Sequence, residues 1–231
     1  MAISRAAKQE FWAGVRALAP LLVGVAPFGM IYGVLALANG LTPAAALAMS
    51  SILFAGSAQF LFCQLVGVGA PATVMVAEVG LLNLRHALYS AALAPRLAHL
   101  PRRWKLLLAY LLTDEAFAAI SHREAESQPS PDRHWFYLGA GLALWGGWQL
   151  STAVGVLLGA RLPADWPLDF ALPLTFIAIV VPLIRSRAML LAAGVAGGVA
   201  LLAAGLPFKL GLLAAALAGM AAGWWAVDKA R

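Results

Sequence analysis

The sequence predicts an all-α integral membrane protein, a polytopic helical bundle of seven or eight spans. Of its 231 residues, 62% are hydrophobic and 11% are charged, which leaves too little polar surface to coat a soluble globule of this size. Apolar runs of about 17 to 25 residues, the length of a membrane helix, recur from Ala17 onwards. Their connections are too short to form another domain, so we expect one membrane transporter domain over residues 1–231.

The apolar segments follow one another between turn-forming residues. Ten-residue strands of alternating polarity, the sign of a membrane barrel, are absent from the sequence. The positive-inside rule does not choose between a topology in which all segments span and one in which one of the first two is re-entrant, because both give the same Lys and Arg difference between the two sides. We expect a cytoplasmic N-terminus. The segments lie at roughly 17–38, 44–68, 72–95, 104–121, 135–160, 168–184, 188–204 and 208–227.

A short internal similarity suggests a repeated architecture. Residues 56–59, with the sequence GSAQ, resemble residues 146–149, with the sequence GGWQ. Units of three helices would make the two repeats inverted, and transporters built in this way often place broken helices around a site at the repeat interface. Two inverted three-helix repeats with broken helices are therefore one form that the bundle could take.

Several classes of function are disfavoured by the sequence. The formal charge of +6 is spread over short loops and termini, so no basic face for nucleic acid exists. Ala55-Gly56-Ser57 lacks the first glycine of a nucleophile elbow, and the chain contains no HExxH motif. Cys63 is the single cysteine, which excludes an intramolecular disulfide. We therefore expect that the protein is not an enzyme and that it has neither a cofactor nor a metal site.

The third segment carries an unusual group of polar residues. Glu78, Asn83, Arg85 and His86 lie in the middle of an otherwise apolar stretch. A charge at mid-depth costs about 2.5 to 3.5 kcal/mol on insertion scales, so such residues face a bundle interior or a wet cavity. Two interpretations remain open. The group either lines a substrate or proton pathway or forms a structural polar network.

Asp114 is the expected partner of Arg85. Arg85 precedes the middle of the loop after the third segment by about as many residues as Asp114 follows it. In an antiparallel helix pair the two side chains would reach the same depth, where an ion pair relieves the burial of both charges. Glu115 is the alternative partner, and Glu78, Glu115 and His86 are candidates for a titrating role.

Prolines and buried amides mark further candidate substrate contacts. Pro27 and Gly29 predict a broken first helix, because proline removes an amide donor and frees an upstream carbonyl. Thr175 lies between two prolines of the sixth segment and predicts a second break. Gln59 shares a helix face with Gly56, where a substrate could approach closely. An ordinary proline kink or helix packing is the alternative for each.

Four strings of residues carry a resemblance to a known family. They are APFGMIYGVLA (26–36), SSILFAGSAQF (50–60), LLNLRHALYSAALAP (81–95) and LTDEAF (112–117). In this order and spacing they resemble the AzlC family, the large subunit of branched-chain amino acid exporters. LPLTFIAIVVPL (172–183) extends the resemblance towards the C-terminus.

The resemblance implies a function and a partner. It implies efflux of branched-chain amino acids, with methionine as a further substrate, across a bacterial inner membrane. It also implies a separate small subunit of the AzlD type with about four membrane helices. The buried titratable residues lead us to expect proton coupling. A scaffold subunit that docks a partner, or a channel, are the alternatives that the sequence leaves open.

Overall fold

The computed structural model describes residues 4–126, 130–161, 181, 184, 186–207 and 210–228. The regular structure in these ranges is helical and contains no strand, so the predicted all-α class is confirmed. Three of the described helices are long and apolar enough to cross a membrane. The chain forms two compact units, residues 1–66 with 79–164 and residues 67–78 with 165–231, which we describe separately.

Ten helices are described. In chain order they are α1 (Arg5–Ala38), α2 (Pro43–Ile52), α3 (Gly56–Gly67), α4 (Ala72–Leu82), α5 (Leu84–Leu93), α6 (Arg102–Tyr110), α7 (Asp114–Glu126), α8 (Arg133–Gly159), α9 (Arg187–Leu202) and α10 (Leu210–Asp228). The sixth predicted segment, 168–184, lies almost entirely outside the described residues.

The first unit is built on a close parallel pair of long helices, α1 and α8. Gly14 of α1 lies against Phe136 and Ala140 of α8, and Gly155 of α8 lies against Met30 of α1. A Cβ atom on Gly14 or Gly155 would overlap a backbone carbonyl of the other helix. Small residues at such positions let two helix backbones approach closely, which is how membrane helices gain packing energy.

The predicted break in the first helix is wrong. α1 continues from Arg5 to Ala38 with Pro20 and Pro27 inside it. A proline removes one helical hydrogen bond, but a membrane helix tolerates that loss where neighbouring groups compensate. Gly29 and Gly33, two and six residues after Pro27, pack directly against α8 and hold α1 straight.

The second predicted span is a helical hairpin that turns back at residues 53–55. On the inward arm, the Tyr32 hydroxyl of α1 donates to the Ala46 carbonyl of α2 at 2.9 Å. On the returning arm, the Phe60 ring of α3 lies 6.0 Å from the Tyr32 ring. Both arms therefore lie beside Tyr32, so α2 and α3 enter and leave at the same end of the unit.

The fourth predicted span is also a hairpin, and it enters from the opposite end. Arg96, before α6, pairs with Glu124 near the end of α7 at 3.2 Å. Trp104 at the start of α6 packs on Trp135 at the start of α8, with ring centroids 5.1 Å apart. Nine residues of α6 rise only about 14 Å, less than half of a ~30 Å bilayer core.

The tips of the two hairpins meet beside the middle of α8. The Tyr110 hydroxyl at the end of α6 donates to the Ser51 carbonyl of α2 and accepts from Trp145 Nε1 of α8 at 2.8 Å. The Phe54 ring lies 6.3 Å from the Tyr110 ring. Two oppositely directed hairpins therefore meet at mid-depth. The 56–59 and 146–149 similarity does not mark them, since 146–149 lies within the uninterrupted α8.

The third predicted span is interrupted at Asn83, which separates α4 from α5. α5 leads from the hairpin tips to the end where α1 begins. The positive-inside rule predicts that this end is cytoplasmic, because within residues 4–161 the opposite end carries Arg161 and no other Lys or Arg. The residues at the cytoplasmic end are Arg5, Lys8, Arg16, Arg96, Arg102, Arg103, Lys105, Arg123 and Arg133.

In the second unit, α9 and α10 form an antiparallel pair with a small-residue interface. Gly211 lies against Ala203, and Gly219 lies against Ala192 and Ala196. The facing residue numbers fall as those of α10 rise, so the two helices run in opposite directions. Glycine and alanine again permit the close backbone approach that holds membrane helices together.

We expect Gly155→Ala to destabilise the protein and Gly146→Ala, in the same helix, to leave it unchanged or more stable. A Cβ on Gly155 would overlap the Met30 carbonyl, whereas nothing lies within 4 Å of a Cβ on Gly146. Overpacking of this kind costs about 1–3 kcal/mol. Thermal unfolding in detergent measures the difference, and equal melting temperatures would contradict the α1–α8 packing.

Thiol labelling of intact cells tests the arrangement of the hairpins. In a Cys63→Ala background, Ala44→Cys lies at the outer end of the first hairpin and Arg103→Cys at the cytoplasmic end of the second. We expect a membrane-impermeant maleimide to label A44C in intact cells, and to label R103C only after the cells have been permeabilised. Labelling of both variants from outside would refute the assigned orientation.

Candidate functional site

Three helices begin close together where the hairpin tips meet. Ser57 lies in the first turn of α3, Arg85 in the first turn of α5, and Asp114 is the first residue of α7. Arg85 Nη2 donates to Ser57 Oγ at 2.6 Å, and Arg85 Nη1 lies 3.3 Å from Asp114 Oδ2. The two residues that the sequence places at matching depth therefore form an ion pair. We call Ser57, Arg85 and Asp114 the central triad.

The local sequence explains each of these helix starts. Thr113 caps α7, since its Oγ1 accepts from the Ala116 amide at 3.5 Å and its carbonyl accepts from the Phe117 amide at 2.8 Å. Asp114 and Glu115 then occupy the first turn, where the helix dipole favours negative charge. Asn83 precedes α5 with backbone angles near the bridge region, which is common at the last residue of a turn.

The electrostatics of the central triad favour an anion. The start of each helix carries roughly half a positive elementary charge, and the triad lies at three such starts. Arg85 adds a full positive charge, while Asp114 supplies one negative charge. The balance is positive, and free helix N-termini bind carboxylates and phosphates readily. The triad is also accessible, because the Arg85 and Asp114 side chains are 28% and 43% exposed.

Both charged groups keep unused hydrogen-bonding atoms. Arg85 Nε and Asp114 Oδ1 are buried and have no hydrogen-bond partner among the described residues. The Tyr89 hydroxyl faces Asp114, and the Tyr89 ring stacks on Phe117 with centroids 4.4 Å apart. A ligand with both a carboxylate and an ammonium group could therefore contact Arg85 and Asp114 together.

An aromatic group adjoins the central triad on the side of α1 and α8. Phe28 and Phe60 lie with ring centroids 4.5 Å apart, and Trp148 lies 5.9 Å from Phe28. A Cβ on Gly56, next to Ser57, would approach the Trp148 ring at 2.9 Å. We call the Phe28, Phe60 and Trp148 rings the aromatic wall. The backbone around residues 56–57 therefore lies between the aromatic wall and the Arg85 guanidinium.

Gln59 lies within this aromatic wall and is completely buried. Its amide oxygen and nitrogen have no hydrogen-bond partner among the described residues. The nearby Tyr32 hydroxyl donates its proton to the Ala46 carbonyl. An unpaired amide in an apolar interior costs about 1–3 kcal/mol, so Gln59 is a polar group available to a ligand or a moved helix.

Other predicted site residues have different surroundings. Gly29 packs against Ser151 in the α1–α8 interface, and its neighbour Pro27 lies within the continuous α1. The Glu115 carboxylate accepts from Thr113 Oγ1 at 3.0 Å, within its own helix cap. Gly29 thus contacts α8, and Glu115 contacts the cap of α7.

Four further predicted residues lie near α5 or beyond the first unit. Asn83 Oδ1 and His86 Nε2 are buried without a hydrogen-bond partner among the described residues, and the His86 ring lies edge-on to Tyr89 at 6.1 Å. Glu78 is buried and belongs to the second unit. Thr175 lies outside the described residues.

The sequence contains signals for two of the helix starts, but they lie inside apolar segments that have the length of a single span. Thr-Asp-Glu at 113–115 is a helix N-terminal pattern inside an apolar segment. Gly56-Ser57 is a comparable interruption in the second segment. The length of an apolar segment predicts a span, but it cannot distinguish one spanning helix from two half-helices joined at mid-depth.

A second charged cluster lies at the end of the same unit that the positive-inside rule predicts to be cytoplasmic. Glu10 of α1 contacts Arg123 at 3.2 Å and Arg133 at 3.9 Å. Glu124 contacts Arg133 at 3.4 Å and Arg96 at 3.2 Å. These ion pairs join α1, α7, α8 and the segment after α5. We call the five residues the cytoplasmic charge cluster.

Comparisons with known proteins find similar membrane proteins. An uncharacterized membrane protein of Archaeoglobus fulgidus is 32% identical over 89% of this chain and 90% of its own length. Inner membrane protein YgaZ of Escherichia coli is 25% identical over 82% of this chain and 80% of its own. Branched-chain amino acid transport protein AzlC of Bacillus subtilis is 25% identical over 74% of this chain and 68% of its own.

No solved structure matches the chain significantly. The model of the AzlC protein family matches residues 20–162. These residues hold the central triad, both hairpins and all of α8. The chain is therefore a multi-pass membrane protein that belongs to the AzlC family.

Proposed function

We propose that this chain is the large subunit of a secondary transporter that exports branched-chain amino acids, with methionine as a further substrate, across a bacterial inner membrane. The observation that carries the proposal is Arg85, which Ser57 and Asp114 hold at mid-depth where three helices begin. A half-buried cation at mid-depth of a membrane domain is typical of a substrate or ion site in a transporter. The amino acid specificity rests on the AzlC relative's name and on the family resemblance.

The central triad suits a zwitterion with an apolar side chain. The substrate carboxylate would bind Arg85 and the amide groups at the helix starts. The ammonium group would bind Asp114, whose Oδ1 is free of other hydrogen bonds among the described residues. The aromatic wall around Phe28 and Trp148 would contact the apolar side chain.

Proton coupling is proposed from competition for Asp114. A proton and the substrate ammonium group would compete for the Asp114 carboxylate, so binding of one would displace the other, as exchange of substrate for a proton requires. His86, Glu115 and Glu78 are the other groups proposed to titrate. Asp114 is the strongest of the four because it contacts Arg85 directly.

A small four-helix membrane subunit of the AzlD type is the proposed partner, as the family resemblance implies. The bilayer surrounds both subunits, and the substrates are the amino acid and protons. A scaffold role for this chain is the competing function. Its basis is the buried polar network around Arg85, which could fix helix packing for a partner without binding substrate.

We expect Arg85→Gln to lower leucine efflux from proteoliposomes at least tenfold, because it removes the Ser57 bond and the Asp114 ion pair together. Breaking a hydrogen-bonded charge pair costs about 2–5 kcal/mol, and about 1.4 kcal/mol corresponds to a factor of ten. Arg103→Gln, at an exposed position of α6, is the matched control.

The same two variants separate a carrier from a scaffold. A folded R85Q protein that still assembles with the small subunit but does not export leucine supports the carrier. Loss of the complex with R85Q, but not with R103Q, supports the scaffold. Unsaturable voltage-driven currents through the wild-type protein would indicate a channel.

We expect an imposed pH gradient to accelerate leucine efflux by the wild-type protein and to have no effect on Asp114→Asn. The D114N side chain cannot gain or lose a proton, so binding and proton movement become unlinked. Asp132→Asn, at the partly exposed N-cap of α8, is the control. A wild-type protein that is indifferent to the gradient would disprove proton coupling, and a D114N protein that still responds would disprove the role of Asp114.

A further inference from the structure

We infer that the first unit contains a translocation route from the central triad to the cytoplasmic end, made of two cavities in series with Leu97 and Tyr137 as the barrier between them. The inference rests on the proposed transport function and identifies the path that the substrate would follow. It assigns these two residues, which lie outside the central triad, to the passage step.

The first cavity begins about one helical turn from the central triad and is mostly apolar. Its volume is about 240 Å³, and Ser90 of α5 and Ala116 of α7 line it on the side of the triad. Leu93, Leu108 and Ile120 supply much of the remaining wall, and Lys105 of α6 adds a charged group. Such a lining accepts an aliphatic side chain with a few polar groups beside it.

The second cavity adjoins the first and is polar. Its volume is about 500 Å³, and it is lined by Arg96, His99, Glu124, Arg133 and His134 among others. It therefore includes three members of the cytoplasmic charge cluster. A cavity of this kind accepts the charged end of an amino acid together with its water.

Leu97 and Tyr137 line both cavities and so form the boundary between them. The Tyr137 ring is almost completely buried, and its hydroxyl faces the Glu124 carboxylate. Glu124 in turn contacts Arg96 and Arg133. The closed position of Tyr137 is therefore connected to the ion pairs of the cytoplasmic charge cluster.

Two helices extend along the whole route and set its length. α5 and α7 run side by side in the same direction, because Arg85 pairs with Asp114 near their starts and Tyr89 stacks on Phe117 one turn later. Ten helical residues separate Asp114 from Glu124, a distance of about 15 Å. That is half of a ~30 Å bilayer core, as expected for a path from mid-depth to one surface.

We expect Leu97→Trp to block this route. The larger ring would fill the boundary between the cavities, so leucine efflux should fall at least tenfold while binding of labelled leucine by the purified protein stays within twofold of wild type. Leu106→Trp, at an exposed position of α6 that lines neither cavity, is the control. Efflux by L97W at the wild-type rate would overturn the route.

This result is distinguishable from failure of the proposed function. If R85Q and L97W both lose efflux but only R85Q loses binding, the site and the route are both supported. If R85Q loses efflux and L97W does not, the proposed function stands and the route is wrong.

A thiol-labelling experiment tests the route without any substrate and without relying on L97W. In the Cys63→Ala background, Ser90→Cys places a thiol in the first cavity. Adding Tyr137→Ala removes the barrier, and we expect a charged thiol reagent supplied from the cytoplasmic side to label S90C at least tenfold faster. Leu138→Ala, at the adjacent buried position, is the control. An unchanged rate with Y137A, or an equal increase with L138A, would overturn the inference.

Discussion

The structure of the first unit depends on keeping the Arg85 guanidinium charged at mid-depth. A lone arginine there is costly, because the lipid tails of the bilayer interior cannot solvate its charge. The chain supplies Asp114 and Ser57 as partners of the Arg85 side chain, at a point where three helices begin. Helix starts are favourable places for an anion and poor places for a cation, so Asp114 stabilises Arg85 and the surplus positive charge remains for a ligand.

The helix interruptions follow from the same requirement. A half-helix that begins at mid-depth has unpaired amides there, and these must be satisfied by protein groups or a ligand. Thr113 caps α7 for this reason. The α1–α8 pair supplies the rigid background, since its glycine contacts extend along nearly the whole length of both helices. The hairpins pack beside that pair, and Tyr110 connects their tips to each other and to Trp145.

The sequence predicted the class of fold and the central contact, but not the course of the chain. Arg85 and Asp114 could be paired because equal spacing from a turn gives equal depth, but the predicted antiparallel pair of helices is wrong, since Asp114 begins α7, which runs parallel to α5. The hairpins could not be recognised from hydropathy, since two half-helices have the same apolar length as one span. Pro27 was misleading because its effect depends on packing. The glycines two residues and six residues further on hold α1 straight against α8, and that packing is a tertiary property.

The contacts of the hairpin tips also determine the order in which the protein can assemble. Ser50 of α2 bonds Thr152 at 3.1 Å, Gln149 bonds the Ser50 carbonyl at 3.0 Å, and Trp145 bonds Tyr110. All three partners belong to α8, which is synthesised after both hairpins. Before α8 is complete, Tyr110 can already bond the Ser51 carbonyl and Arg85 can pair with Asp114, but the bonds to α8 are missing. The packing of the first 126 residues can therefore be completed only once residue 152 has been synthesised.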